Sequence, residues 1–207
     1  MKPEEIERLK SMWEIENGLF EKGRKIIAGV DEAGRGPLAA PVYAAAVVLP
    51  PNVYIEGLND SKKISEKKRE KLFDEICNTA LCYCVATASV SEIDEYNIRN
   101  ATYIAMNRAI SALKIKPDYV LVDGDCIKDC TYPYECVVKG DSKSISIAAA
   151  SILAKVSRDR EMEELSKKYP QYGFEKHKGY GTKAHIAALK EYGPCEIHRK
   201  TFIKKFI

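Results

Sequence analysis

Apolar residues recur at Ile6, Leu9, Trp13 and Leu19-Phe20, a near-helical spacing that predicts one amphipathic helix over 3–22, ended at Gly23. Two short apolar runs, 25–31 and 41–49, read as strands separated by the turn Gly34-Arg35-Gly36. Ser65 is placed to cap a helix over 65–79, whose Leu72, Phe73 and Ile76 share one face; Lys68 stands where a capping box would have Glu. Residues 81–89 alternate small and β-forming side chains as a third strand. The stripe Ile98, Thr102, Ala105, Met106, Ala109, Leu113 predicts a helix over 97–113. Pro117 precedes a fourth strand, 118–122, which runs into Asp123-Gly124-Asp125, and a fifth, 134–138, ends at Gly140-Asp141. The segment 144–168 is helical and carries Ala148-Ala149-Ala150-Ser151 near its start, small enough for close packing. After Pro170 come an aromatic and basic loop, a short helix over 182–192 and a basic tail, 194–207, whose pattern fits docking and fraying equally.

Strands first, then helices interleaved with two more strands, predict an α/β fold with one mixed sheet flanked by helices. The 207 residues suit one domain, 1–207, with an N-terminal helix over 1–23 and a C-terminal helical extension from about residue 170.

Composition narrows the class. Hydrophobic residues make up 45% and charged ones 30%, normal for a soluble globular protein. Residues 1–10 are charged rather than apolar, so no secretory signal is expected. The longest apolar run, 38–51, is interrupted by Pro41 and falls short of the ~20 residues a membrane span needs. A soluble cytoplasmic protein with no membrane partner is expected. The seven cysteines lack paired Cys-x-x-Cys spacing and the three histidines do not complete a zinc site, so structural reduced thiols are expected. Charge is uneven: residues 139–207 hold 15 Lys or Arg against 8 Asp or Glu, and a moderately basic third suits a polyanion.

The chemistry sits in the acids. Asp31 and Glu32 are adjacent at the end of an apolar run, and neighbouring strand residues point to opposite faces. Their convergence is therefore expected to need the strand to stop, with Gly29 and Gly34 supplying freedom. Two adjacent carboxylates cost repulsion and desolvation unless a cation answers them. Three strand ends finish in acid: Asp31-Glu32, Asp123 and Asp141. Gathered at one edge, they would make an all-oxygen site for Mg²⁺ or Mn²⁺, and two such ions about 4 Å apart can clamp a phosphodiester. Taken singly, Asp141 also suits a helix cap and Asp123-Gly124-Asp125 a turn, with Asp123 and Asp125 equally eligible. Gly29-x-x-x-x-Gly34-Arg35-Gly36 is a near miss to a phosphate-binding loop, but Arg replaces Lys and its acids would repel phosphate. A dinucleotide fingerprint at Gly34-x-Gly36-x-x-Ala39 fails because β-rich sequence, not a helix, follows.

The combination of DEAGRGPLA at 31–39, NDSKKIS at 59–65, LVDGD at 121–125, KGDSKS at 139–144, AAASILAKVSRDR at 148–160 and HKGYGTKAH at 177–185 resembles ribonuclease HII over about residues 25–200. The related ribonuclease HIII family differs after the Asp-Glu pair and has a large N-terminal domain. The resemblance implies an RNase H-like five-stranded sheet with a C-terminal helical region. It also implies a metal-dependent endonuclease that cuts RNA in RNA·DNA hybrids and cuts 5′ of single ribonucleotides embedded in duplex DNA. Carried over by position, Asp31, Glu32, Asp123 and Asp141 would be the catalytic metal ligands for two Mg²⁺ or Mn²⁺ ions, which favours Asp123 over Asp125. Gly34, Arg35, Gly36 and Tyr180 would read the ribose 2′-hydroxyl, the group that tells RNA from DNA, with the Tyr180 ring on the next sugar. Lys62, Lys143, Lys178 and Lys183 become phosphate contacts, and Asp159 a helix-surface ion-pair residue. The family often has glycine where this chain has Ala40, a substitution strained only if φ is positive there. A monomer is expected, and the terminal run 202–207 is too generic to name a protein partner. A different metal-dependent nuclease of similar fold, or a non-catalytic nucleic-acid-binding protein, are the alternative readings.

Overall fold

The central strands form where the sequence is most apolar. β1 (Ile27–Ala33) and β2 (Val42–Val48) pair antiparallel, and every residue of β2 is buried because helices cover both its faces. The structure, a computed structural model, describes residues 1–207. Its sheet has the order β3-β2-β1-β4-β5, with β3 (Cys82–Ala88) antiparallel to β2. β4 (Tyr119–Asp123) and β5 (Tyr134–Val137) run parallel to β1 and to each other. The expected mixed five-stranded sheet flanked by helices is therefore present.

Alternation along the strands divides the core. Ala45 and Val47 pack on one face with Ala148, Ala149 and Ile152 of α5 (Ile145–Lys168). Ala44 and Ala46 pack on the other with Ala105, Met106 and Ala109 of α4 (Val90–Ser111). The small residues at the start of α5 allow the close approach expected of them. Gly29 of β1 completes it: a Cβ there would lie 2.1 Å from the Ser146 carbonyl carbon. Closeness, rather than conformational freedom, is what that glycine provides.

Several elements depart from the periodicity. The expected helix over 3–22 is broken into α1 (Pro3–Met12) and α2 (Glu14–Glu21) at Trp13, whose buried indole donates to Val53 O at 2.8 Å. α3 (Glu66–Thr79) starts after Ser65, although that side chain makes no capping bond. α4 begins earlier than the predicted 97, at a capping box of Ser89 and Glu92. Asn97 interrupts it with φ 65°, and the Asn97 Oδ1 accepts from the amides of Arg99 and Asn100, capping the second half.

The C-terminal region is helical, with α6 (Phe174–His177), α7 (Lys183–Tyr192) and α8 (Lys200–Ile203). The tail docks. His198 bridges to Ala39, Ile203 is buried, and Asp94 accepts from the amides of Lys200 and Thr201 to cap α8. No disulfide forms among the seven cysteines, of which only Cys82 is fully buried. Asp159 is buried rather than at the surface, paired with Lys155 at 2.7 Å and Arg69 at 3.7 Å. Ala40 has φ 72°, the left-handed conformation that favours glycine.

Candidate active site

Asp31, Glu32 and Asp123 each offer a carboxylate oxygen within 4.8 Å of the others. β1 does not stop to allow this; it stays paired with β2 as far as Ala33. The pairing with β4 is what ends, at Val30 opposite Val122, and this opens the side where Asp123 stands. Asp31 shares the α5 face with Ile27, and the longer Glu32 side chain starts from the opposite face.

The local hydrogen bonds hold two of these acids. Asp31 Oδ1 accepts from the Glu32 amide at 2.6 Å, and Asp123 Oδ1 accepts from the Gly140 amide at 2.6 Å. The second bond ties the end of β4 to the 3-10 turn Gly140–Ser142, which carries Asp141. Asp141 is buried beside Asp60 and Asp123 but stands outside the three-carboxylate group. Asp125 points elsewhere: its carboxylate is largely exposed and pairs with Arg99 at 3.9 Å.

Crowding raises proton affinity. Burial, then Glu32 and Asp123, push Asp31 well above the usual carboxylate range. Burial also raises Glu32, with Arg35 and Lys62 pulling the other way against Asp123. Asp141 is raised by burial and by Asp60 and Asp123. Burial would lower Lys62, but Asp31, Asp141, Asp60 and Glu32 around it push it up instead. Carboxylates that gain from a proton gain more from a divalent cation, and an all-oxygen donor set suits a hard one. The residues present fit such an ion.

Beside the acids lies a cleft of about 350 Å³. Gly34, Arg35, Gly36, Lys62 and Tyr180 line it, with Gly36 set against the Tyr180 ring. A Cβ on Gly34, which has φ 95°, would lie 2.2 Å from Arg158 Nε; one on Gly36 would lie 3.4 Å from the Tyr180 ring. Arg35 reaches Glu32 at 3.7 Å from an exposed position. Of the other lysines, Lys143 and Lys183 are exposed, the former donating to Val138 O. Lys178 pairs with Glu163 at 3.0 Å and with Glu66 at 3.7 Å.

The periodicity reading missed part of this cleft. Ser61, Ser151, Lys155 and Arg158 line it. The last three fall at helical spacing on α5, a polar stripe that begins within the apolar run 145–156 and could have flagged them.

A sequence model of the family described as ribonuclease HII matches residues 28–205. A relative named ribonuclease HII from Caldicellulosiruptor saccharolyticus is 57% identical over 198 residues, covering 96% of this chain and 97% of that protein. The crystal structure of ribonuclease H2 from Pyrococcus horikoshii superposes with a TM-score of 0.74 at 31% identity, over 88% of this chain and 97% of that one. The ribonuclease HII of the PCNA complex from Archaeoglobus fulgidus gives 0.71 at 30% identity, over 84% and 94%. Sequence relationship over nearly the whole chain, a shared sheet and helices, and acids meeting at the end of β1 agree: the chain belongs to the ribonuclease HII family.

Proposed function

We propose that this chain cuts the RNA strand of RNA·DNA hybrids and cuts duplex DNA at a single embedded ribonucleotide, 5′ of it, leaving 3′-hydroxyl and 5′-phosphate ends. The observation that carries this reading is the meeting of Asp31, Glu32 and Asp123 within 4.8 Å, beside a glycine-walled cleft. Two divalent cations, Mg²⁺ or Mn²⁺, would supply Lewis acidity there, polarising the phosphodiester and lowering the pKa of a bound water. Asp31, Glu32, Asp123 and Asp141 would hold them.

The remaining residues bind and orient. Lys62, set among four acids, is placed to screen a phosphate arriving at the cluster. Gly34 and Gly36 let backbone amides and carbonyls approach a ribose, whose 2′-hydroxyl is the discriminating group, with Arg35 between them. Tyr180, across from Gly36, supplies an exposed ring that can lie on the following deoxyribose. Lys143, Lys178 and Lys183 would meet phosphates without reading sequence. No helix is long and apolar enough to cross a membrane. The role we propose is removal of ribonucleotides from DNA in the cytoplasm.

The test uses a DNA duplex with one ribonucleotide, incubated with Mg²⁺, Mn²⁺ or chelator. The wild-type chain cleaves it with either metal and not with chelator. Asp31→Asn and Asp123→Asn abolish cleavage but melt no lower than wild type, because each removes like-charge repulsion. Cleavage by either variant at saturating Mg²⁺ refutes the assignment, and hybrid binding without cleavage at any metal concentration favours a non-catalytic binding protein.

A further inference from the structure

Two side chains of the docked tail reach the backbone of the cleft, Arg199 directly and His198 through His185 of α7. Arg199 is fully buried and has no carboxylate partner. Its Nη2 donates to Gly34 O at 2.6 Å and Pro41 O at 3.3 Å, its Nη1 to Arg35 O at 3.0 Å, and its Nε to Ala40 O at 2.9 Å. One guanidinium thus holds four carbonyls of the loop that bears the Gly-Arg-Gly turn. A buried cation without a counter-ion is costly, so this arrangement persists only because the carbonyl dipoles answer it.

A second connection runs through histidines. His198 Nδ1 accepts from the Cys195 amide at 3.0 Å, so the proton of that ring sits on Nε2. His198 Nε2 lies 3.1 Å from His185 Nε2, which must then accept. His185 Nδ1 therefore carries a hydrogen and donates it to the Tyr180 carbonyl at 2.9 Å. Both ends demand the same tautomers. The backbone adds to the lacing: Ala40 N donates to Ile197 O, Arg199 N to Leu38 O, and Leu38 N to Gly179 O, each at 2.8 Å.

We propose that Arg199, His185 and His198 are positioning residues of the sugar-reading cleft, Arg199 orienting the Gly34 and Arg35 peptides and the imidazole pair setting Tyr180, so that its two walls keep a fixed spacing. This rests on the reading of the cleft given above. None of the three need touch the substrate. Their effect is to hold the hydroxyl-reading groups at one distance from the carboxylates, where a misplacement of about 1 Å can cost about 100-fold in rate.

The test uses the full chain, a DNA duplex with one ribonucleotide, the all-deoxy duplex, and thermal unfolding. Arg199→Lys keeps the charge but cannot span four carbonyls; it lowers kcat about 100-fold with KM nearly unchanged, because phosphate contacts persist. His185→Phe removes the bond to Tyr180 and lowers kcat at least about 10-fold by the same displacement. His185→Asn, whose amide nitrogen can take the place of Nδ1, recovers most of that loss. Wild-type kcat in folded Arg199→Lys or His185→Phe, or no rescue by Asn over Phe, overturns the proposal. If Arg199→Lys no longer unfolds cooperatively, Arg199 is scaffold and drops out, and the His185 pair decides the rest. If the wild-type chain does not cut the ribonucleotide duplex in preference to the all-deoxy one, the reading of the cleft itself fails and both fall.

Discussion

Gly29→Ala adds a single methyl group where α5 crosses β1. That carbon would stand 2.1 Å from the Ser146 carbonyl carbon and 2.4 Å from the Ile147 nitrogen, both backbone atoms. Restoring an ordinary 3.4 Å contact moves the first turn of α5 by about 1.3 Å, since no side chain can rotate out of the way. Overpacking of this kind costs about 3 kcal/mol, which for a chain of this length lowers Tm by about 6–12 °C. The same turn continues backwards into Gly140, whose amide holds Asp123 Oδ1 at 2.6 Å, so cleavage slows by about 100-fold. Gly18→Ala is the control, because nothing lies within 4 Å of its Cβ and it sits inside α2. It stabilises by about 0.5–1 kcal/mol through helix propensity. Calorimetry and a cleavage time course read both variants. Gly29→Ala melting within about 2 °C of wild type, with unchanged cleavage, would refute the close-approach argument.

Two further predictions concern buried polar groups. Burial and the neighbouring His185 pull His198 down to about 4 from an ordinary 6.5. The unfolded chain therefore binds its proton first, so the contribution of this residue is intact above pH 6.5 and falls by about 3 kcal/mol as pH drops towards 4. The difference in urea midpoint between wild type and His198→Asn across that range measures it. Glu16 of α2 is buried and accepts from Ser144 Oγ, Ser146 Oγ and the Ser146 amide, pinning the N-terminal helices to the start of α5. Glu16→Ala strands those donors and costs about 3 kcal/mol, whereas Glu16→Gln keeps one accepting oxygen and costs less than about 1 kcal/mol. Equal urea midpoints for the two variants would show that the bonds carry little weight.

How far these features could be read from residues alone depended on whether they leave a local trace. β1, β2 and α5 announce themselves through apolar period and small residues, and the acids at strand ends could be named before their register was known. Asp31 and Glu32 meet for a different reason than expected, because pairing ends on the β4 side alone and strand length does not encode which neighbour stops first. The first part of α4 was hidden by Asn97, whose positive φ breaks an otherwise continuous helix. Burial of Asp159 depends on Arg69 arriving from α3, a contact with no sequence periodicity. The tail docks through Arg199 donating to carbonyls, and carbonyls are common to every residue. The strain raised for Ala40 is real in φ, at a cost of about 1–2 kcal/mol, yet its methyl group is buried against Met162 and Phe174, which offsets part of it.

The guanidinium of Arg199 and the peptide it holds at Gly34 are 165 residues apart in the chain. At ordinary rates of translation, roughly 10 to 30 s pass between the synthesis of one and of the other. A nascent polypeptide that has not reached residue 199 already has its acids, but the carbonyls at 34, 35, 40 and 41 await their donor. The brace is therefore made long after the groups it holds, and a stop codon at position 199 removes it while sparing every carboxylate.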